Sequence, residues 1–451
     1  MLRNFERLFL GVLLSLLISL YERRFARATG EQLADLKNAG YIGNVKNLTV
    51  ATLYQKSREA NLLHSKGRYF DAVRIHRECL QEVYRVNEVI DPHWTPPFLS
   101  YYFGSFLGHR AIIALIVASQ RIGLINSRSR TILHSGGQNE EQLKILFSRT
   151  PEITLLGSRF AYRAFEGPMN WHLSERLWLI KTHEGLLETQ QFTDYAFQKL
   201  SSVNLRKEFE FPDEYEDHAL QLLIKYGLPR EQPFVAMHVR KKNWNMNDIR
   251  QADVRGFIPA ASELLKRGYW IIQIGTDPQE PILNDPRVIV IQGDIDDSRF
   301  LTPYVLAKAE FLVNTCSGPS YLAAILGTPV LQTNVIAFGK SATTLSSGSL
   351  HLPKKWTIKG KPVGLYDLLS SPLGYTYENL RELRKRGLSV EENSADEVRD
   401  ATCELLGWIE RGRGHQEINM RVSTIRRETQ APTNGLIASS YLAKHSDWFL
   451  R

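Results

Sequence analysis

The sequence is poor in cysteine. It has three, Cys79, Cys316 and Cys403, far apart and odd in number. No disulfide framework and no CxxC-type zinc site can be built from them, which favours a reducing compartment. It also lacks an apolar run long enough to cross a bilayer. The longest, Leu8 to Tyr21, has 14 residues. At about 1.5 Å of helical rise each, it covers roughly 21 Å of a hydrocarbon core ~30 Å thick. There is no Walker A loop, no HExxH and no GxSxG elbow, so P-loop, zincin and serine-hydrolase chemistry have no motif to rest on. Asp294-Ile295-Asp296 is the one DxD beside an apolar strand, too little for a metal-dependent transferase. Neither extreme of composition is present: 43% apolar and 23% charged exclude disorder and a polytopic membrane protein. The charge excess is modest, 56 Lys+Arg against 48 Asp+Glu, or +8. It suits nucleotides, phospholipid or nucleic acid equally, or serves solubility alone. At ~150 residues per domain, 451 residues predict two or three domains.

Arginines border the apolar run on both sides: Arg3 and Arg7 before it, Arg23, Arg24 and Arg27 after it. Cations on both flanks oppose translocation and suit a helix lying in the interface of an anionic membrane. A signal peptide ending at Ala26-Arg27-Ala28 and a buried helix are the alternatives. Residues 1–28 are read as a retained membrane-associated helix. The Asn47-Leu48-Thr49 sequon is then chance.

Residues 29–97 read as helical. Ala60, Leu63, Gly67, Tyr69, Ala72, Cys79 and Leu80 match the spacing of a single tetratricopeptide-like hairpin, which without a second copy makes no solenoid. Prolines at 92, 96 and 97 mark a boundary. From 98 to 230 short strands (131–134, 153–155) alternate with helices, one running to Arg121 and ended by Gly123. From 231 to 412 the alternation is clearer. Strands are expected at 234–239, 269–274, 288–291, 311–313 and 329–331, with helices at 258–267, 303–308 and 321–326. A helix over 395–411 has Ser394 and Glu397 spaced for a capping box. The stretch 413–451 reads as a basic, weakly patterned tail. The expected fold is therefore α/β: two Rossmann-like doubly wound domains with a cleft between them, plus an N-terminal helical segment. Such a tandem suits an enzyme that joins two substrates.

Binding groups in such folds sit beyond the carboxyl ends of strands. His238-Val239-Arg240 ends an apolar strand, and its His and Arg share a face. Arg240 has the fork that chelates a diphosphate. A solvated basic loop with a core histidine is the plain alternative. Asn314 to Ser320 forms a Ser- and Gly-bearing strand-to-helix turn, with Ser317, Gly318 and Ser320 as phosphate-site candidates. Gly275 and Asp277 follow the next strand, and Asp294 the one after. Both loops are rim candidates that surface turns also resemble. Gly104 and Gly108 open the first helix beside His109, without the GxGxxG spacing of a dinucleotide fingerprint. His109, Glu166 and His172 are further titratable candidates.

Taken together these segments are similar to a family of bacterial glycosyltransferases found with surface-polysaccharide genes. The set comprises the 234–240 strand, the Ile-Gly step at 274–275, the 314–329 segment, the Gly104 to His109 helix start and the closing 389–399 segment. More distantly, it resembles the fucosyltransferase-type HxRR loop, although Lys241 stands where those relatives often carry an acidic residue or a second arginine. The resemblance covers roughly residues 100–410. It implies a GT-B fold and transfer of a sugar from a nucleotide-diphosphate-sugar donor to a polysaccharide, lipopolysaccharide or related glycan or glycolipid acceptor. It places Arg240 on the donor diphosphate with Ser317, Gly318 and Ser320 beside it. The expectation is thus a metal-independent glycosyltransferase with no cofactor and no nucleic-acid partner. It would be held at the inner membrane's cytoplasmic face by its first helix, with Arg240 as the catalytic cation and His109 or Glu166 as base. A nucleotide-sugar epimerase of the same architecture and a non-catalytic membrane-tethered adaptor are the alternatives.

Overall fold

In a computed structural model of the chain, residues 211–450 are described except 241–247, 276–279, 293–295, 337, 339–347, 376–379, 412–416 and 430–435. Before 211 the described residues are 98–100, 107–125, 131–134, 153–156, 179–182, 185–188 and isolated positions. The expected membrane helix at 1–28 and most of the helical hairpin at 29–97 lie outside them. The chain divides into two compact units. One is formed by Met1–Tyr102, Arg128–Gly136 and Ile153–Glu188, the other by Phe103–Ser127, Gly137–Glu152 and Thr189–Arg451.

The first unit holds β1 (Phe98–Ser100), β2 (Thr131–His134) and β3 (Ile153–Leu156), paired in parallel in that order, and an antiparallel pair, β4 (Leu179–Thr182) and β5 (Gly185–Glu188).

The second unit is built on a seven-stranded, wholly parallel sheet. Its strands are β6 (Phe234–His238), β7 (Trp270–Gly275), β8 (Val288–Gln292), β9 (Leu312–Thr315), β10 (Val330–Val335), β11 (Leu350–Pro353) and, from the far end of the chain, β15 (Leu436–Ile437). Their order is β15-β11-β10-β9-β6-β7-β8. β9 and β10 are buried at every position, as a parallel sheet covered on both faces requires. A small antiparallel sheet joins β13 (Lys361–Pro362), β12 (Lys355–Ile358) and β14 (Leu388–Glu391).

Helices cover the large sheet in two groups. α1 (Leu107–Arg121) packs on α5 (Pro319–Ile325), which packs on α4 (Asp296–Lys308), and α4 packs on α2 (Asp213–Lys225). In the other group, α3 (Ile258–Lys266) packs on α6 (Ala395–Arg411), and α6 on α8 (Ser439–Phe449). Positions 112 to 120 of α1 are all buried, which explains its nearly unbroken apolar sequence. It ends as its sequence predicts: Gly123 takes φ +76°, and Leu124 N–H returns to Ser119 O at 2.8 Å.

Three features differ from the sequence expectation. α4 begins at Asp296 and carries Pro303 inside it. A proline read as a helix start costs a backbone bond there. Phe300, one turn earlier, packs edge-on against Phe211 and Tyr215. β11 and β12 fall in a stretch that offered no strand signal. The tail after Gly412 is not weakly structured where it is described: it supplies α7 (Glu417–Glu428), the edge strand β15 and α8. Val422, Ile425, Tyr441, Leu442 and Phe449 join the core that also holds Val235 and Met237. Only a few apolar residues per helix are needed, so the tail's mean composition hid them.

Candidate functional site

Counting from β6 as the first strand, the sheet order is 3-2-1-4-5-6-7. The chain moves outward from β6 to β8, then resumes on the other side of β6 with β9. At that reversal the loops leaving β6 and β9 diverge, and the crevice between them is where open α/β sheets bind ligands. The two segments singled out by sequence, 238–240 and 314–320, are the carboxyl ends of these two strands.

They are tied together by side chains. His238 is paired in register with Asn314 across β6 and β9, and its Nδ1 lies 2.7 Å from Asn314 Oδ1. The Asn314 amide is fixed because its Nδ2 donates to Ser317 O (3.2 Å) and Ser320 Oγ (2.8 Å). Its oxygen therefore faces His238, so Nδ1 carries the hydrogen and Nε2 is the basic nitrogen of the neutral ring. Two residues on, Arg240 N–H donates to Thr315 Oγ1 at 2.9 Å.

Arg240 is not a lone rim cation. Its Nε donates to Asp248 Oδ2 at 3.2 Å. Asp248 also accepts from Arg250: the backbone N–H at 3.0 Å and Nε at 2.9 Å on Oδ1, and Nη2 at 2.8 Å on Oδ2. The carboxylate side chain is 12% exposed and each arginine 36%, so the cations reach solvent more than the anion does. Burial pushes the Asp248 carboxyl upward, but the Arg250 hydrogen bonds and the two guanidinium charges outweigh it and hold it below its usual range. The three side chains carry two positive charges and one negative, an arrangement suited to a phosphate.

The turn after β9 differs in detail from its expected role. Ser320 is wholly buried. Its hydroxyl donates to Ser317 O (2.6 Å) and accepts from Asn314 Nδ2 and Gln332 Nε2 (3.1 Å). That exhausts its one hydrogen and two lone pairs. Ser320 braces the turn from behind. Ser317 and Gly318 are half-buried. Gly318 has ordinary helical backbone (φ −53°, ψ −35°), so its angles do not demand glycine. α5 has only seven residues, so the positive end of its dipole is weak.

Gly275 ends β7 opposite Gln292 of β8. One step behind, Gln273 pins the departing loop through Nε2 to Glu280 O (3.1 Å) and Oε1 to Ile282 N–H (2.9 Å). His109 lies in the first turn of α1, with its side chain outside the described residues. Asp277, Asp294, Glu166, His172 and Lys241 lie outside them as well. Among the described residues no group of three or more His, Cys, Asp or Glu is placed to hold a metal ion, and no helix is long and apolar enough to cross a membrane.

Sequence reading missed Asp248, Arg250 and Gln332, and it named Thr315 within the 314–320 turn without its bond to Arg240. A signal for the first pair exists. Asp-x-Arg occurs also at 253–255, 285–287 and 297–299; the last lies in α4, and the first two form the same turn as 248–250, the aspartate accepting from the arginine's N–H and Nε. At Asp248 a second arginine joins, from a strand end eight residues earlier.

No family model matches the chain, and no curated protein matches it in sequence. Solved structures resemble it weakly. An Escherichia coli ADP-heptose lipopolysaccharide heptosyltransferase II is 11% identical with a TM-score of 0.39, over 59% of this chain and 91% of that one. A glycosyl transferase family 9 protein from Veillonella parvula is 11% identical with a TM-score of 0.36, over 57% and 84%. E. coli heptosyltransferase WaaC with ADP-2-deoxy-2-fluoro heptose is 15% identical with a TM-score of 0.31, over 52% and 87%. All three scores fall below 0.5, so the likeness carries no functional weight.

Proposed function

We propose that the chain is a glycosyltransferase that binds a nucleotide-diphosphate-sugar donor at the carboxyl ends of β6 and β9. The observation that carries this reading is the Arg240–Asp248–Arg250 cluster, a net cationic group at the reversal point of a parallel sheet. Departure of the nucleoside diphosphate breaks the bond from the anomeric carbon to the phosphate oxygen, and the electron pair leaves with the diphosphate. Arginines beside it stabilise that charge as it develops. The acceptor hydroxyl forms the new bond to the anomeric carbon and gives its proton to a base, for which His109 and Glu166 are the candidates. No divalent metal is needed in this scheme, since the cations do its electrostatic work. The acceptor is a surface polysaccharide, a lipopolysaccharide or a related glycan, and residues 1–28 hold the enzyme at the cytoplasmic membrane face.

The test is a thermal-shift screen of the full chain with GDP, UDP, ADP and CMP. One diphosphate is expected to stabilise the protein, by about 2.7 kcal/mol at a hundredfold excess over its Kd, and CMP less. Absence of a shift with every nucleotide points to the adaptor. Nucleotide release that does not depend on an acceptor glycan points to the epimerase. Unchanged turnover in EDTA supports the metal-free scheme, and its loss overturns that part.

A further inference from the structure

Arg240 is held at several atoms. Its N–H is bound to Thr315 Oγ1, its carbonyl accepts from Ala252 N–H at 3.0 Å, and its Nε is bound to Asp248. Among the described residues its two terminal nitrogens have no hydrogen-bond partner. Asp248 is itself fixed by three bonds from Arg250, so the carboxylate is a rigid anchor and not a mobile counter-ion. A side-on contact through Nε leaves the outer edge of a guanidinium open, and that edge matches two phosphate oxygens.

We propose that Asp248 is a positioning residue, holding Arg240 by Nε so that its two terminal nitrogens are presented to the donor diphosphate, with Arg250 fixing Asp248 in turn. This rests on the donor-site reading above. It makes a prediction of opposite sign to simple electrostatics. If Asp248 merely competed with an incoming anion for the two arginines, removing its charge would tighten anion binding. If it positions Arg240, removing it weakens binding, because the guanidinium must then be ordered by the ligand.

The experiment is calorimetric titration of inorganic pyrophosphate into the full chain and into Arg240→Ala, Asp248→Asn and Asp248→Ala, with circular dichroism and melting temperature recorded on each. Asp248→Asn keeps an oxygen for Nε, so affinity is expected to fall in the order wild type, Asn, Ala, the last by ~10-fold or more. Variants at Asp248 that bind as tightly as wild type, or tighter, while Arg240→Ala loses binding, overturn the positioning role and leave the donor site standing. A lower melting temperature with unchanged affinity does the same, since it marks a structural carboxylate. Undiminished binding by Arg240→Ala, or no binding by wild type, overturns the donor-site reading and this inference with it.

Discussion

Arg240 decides most about the chemistry, because two arrangements of the same side chain predict different outcomes. A diphosphate ligand needs the planar fork, which an ammonium lacks, so Arg240→Lys is expected to cut turnover by at least ~10-fold, on the order of 1.4 kcal/mol of transition-state stabilisation. Arg240→Ala is expected to cost more activity and little stability, since the pair with Asp248 is one-third exposed on the arginine side and such pairs contribute about 0–1 kcal/mol. Turnover and melting temperature on both variants separate the cases. A purely structural ion pair would lower the melting temperature in Ala and spare turnover in Lys. Near-wild-type turnover in Arg240→Ala would end the donor-site assignment. His238 sits differently: its ring is tied to Asn314, so its substitution acts on the β9 turn as well as on any ligand.

α6 shows how one helix start ties together elements distant in the chain. Ser394 and Glu397 form the expected capping box, with Ser394 N–H on Glu397 Oε2 at 2.8 Å and Glu397 N–H on Ser394 Oγ at 3.2 Å. The second carboxylate oxygen of Glu397 accepts from His445 Nε2 at 2.5 Å, tying α8 to α6. Just before the cap, Asn393 exchanges backbone-to-side-chain bonds with Asn334 at the end of β10 (2.6 and 3.0 Å) and donates to Pro353 O. Asn334 has φ +54°, a left-handed backbone that asparagine tolerates. Ser394→Ala is expected to cost about 1 kcal/mol. Glu397→Ala should exceed it because both the cap and the α8 link are lost. Asn393→Ala should cost about 1–3 kcal/mol for the buried N–H of Asn334 and the Pro353 carbonyl left without partners. Urea unfolding midpoints check the order, and pyrophosphate affinity should be retained in the Ser394 variant.

Across the whole protein, acid sensitivity traces to the sheet interior. His351 of β11 is wholly buried, and among the described residues neither ring nitrogen has a hydrogen-bond partner. Burial, aided by the Arg426 charge, pushes its imidazole down to about 3. The unfolded chain protonates this histidine near 6.5 while the folded one does not, so below that pH the unfolded state binds the extra proton and stability falls. The window runs from about pH 6.5 down to 3, and the loss between pH 7 and pH 5 is on the order of 2 kcal/mol. His351→Leu removes the titrating group and the two unpaired buried nitrogens. It is expected to flatten the acid limb of the stability–pH curve measured by urea unfolding; an unchanged acid limb would assign the sensitivity elsewhere. The membrane proposal is tested on the same full chain. It should fractionate with membranes, and deletion of residues 1–28 should release it. Equal solubility of the two forms, or cleavage after Ala28, overturns the anchor.

Local chemistry was enough to place much of this architecture. Continuous apolar runs such as Phe234–Met237 read as buried strands, Gly123 as a helix stop, and Ser394 with Glu397 as a helix start, because each depends on neighbours within a few residues. Even the strand-end position of Arg240 follows from that pattern. Strand order does not. That β9 lies against β6, and that β15 closes the far edge after α7, depends on packing between segments distant in the chain. His238 and Asn314 are 76 residues apart. The same holds for function: Ser320, a phosphate-site candidate in prospect, is spent inside the turn, and Asp248, in one of four Asp-x-Arg triplets, becomes distinctive only where the fold brings Arg240 to it. Hydrogen-bond geometry across strands is a tertiary property, so only the folded chain could separate the serine that braces from the aspartate that aims.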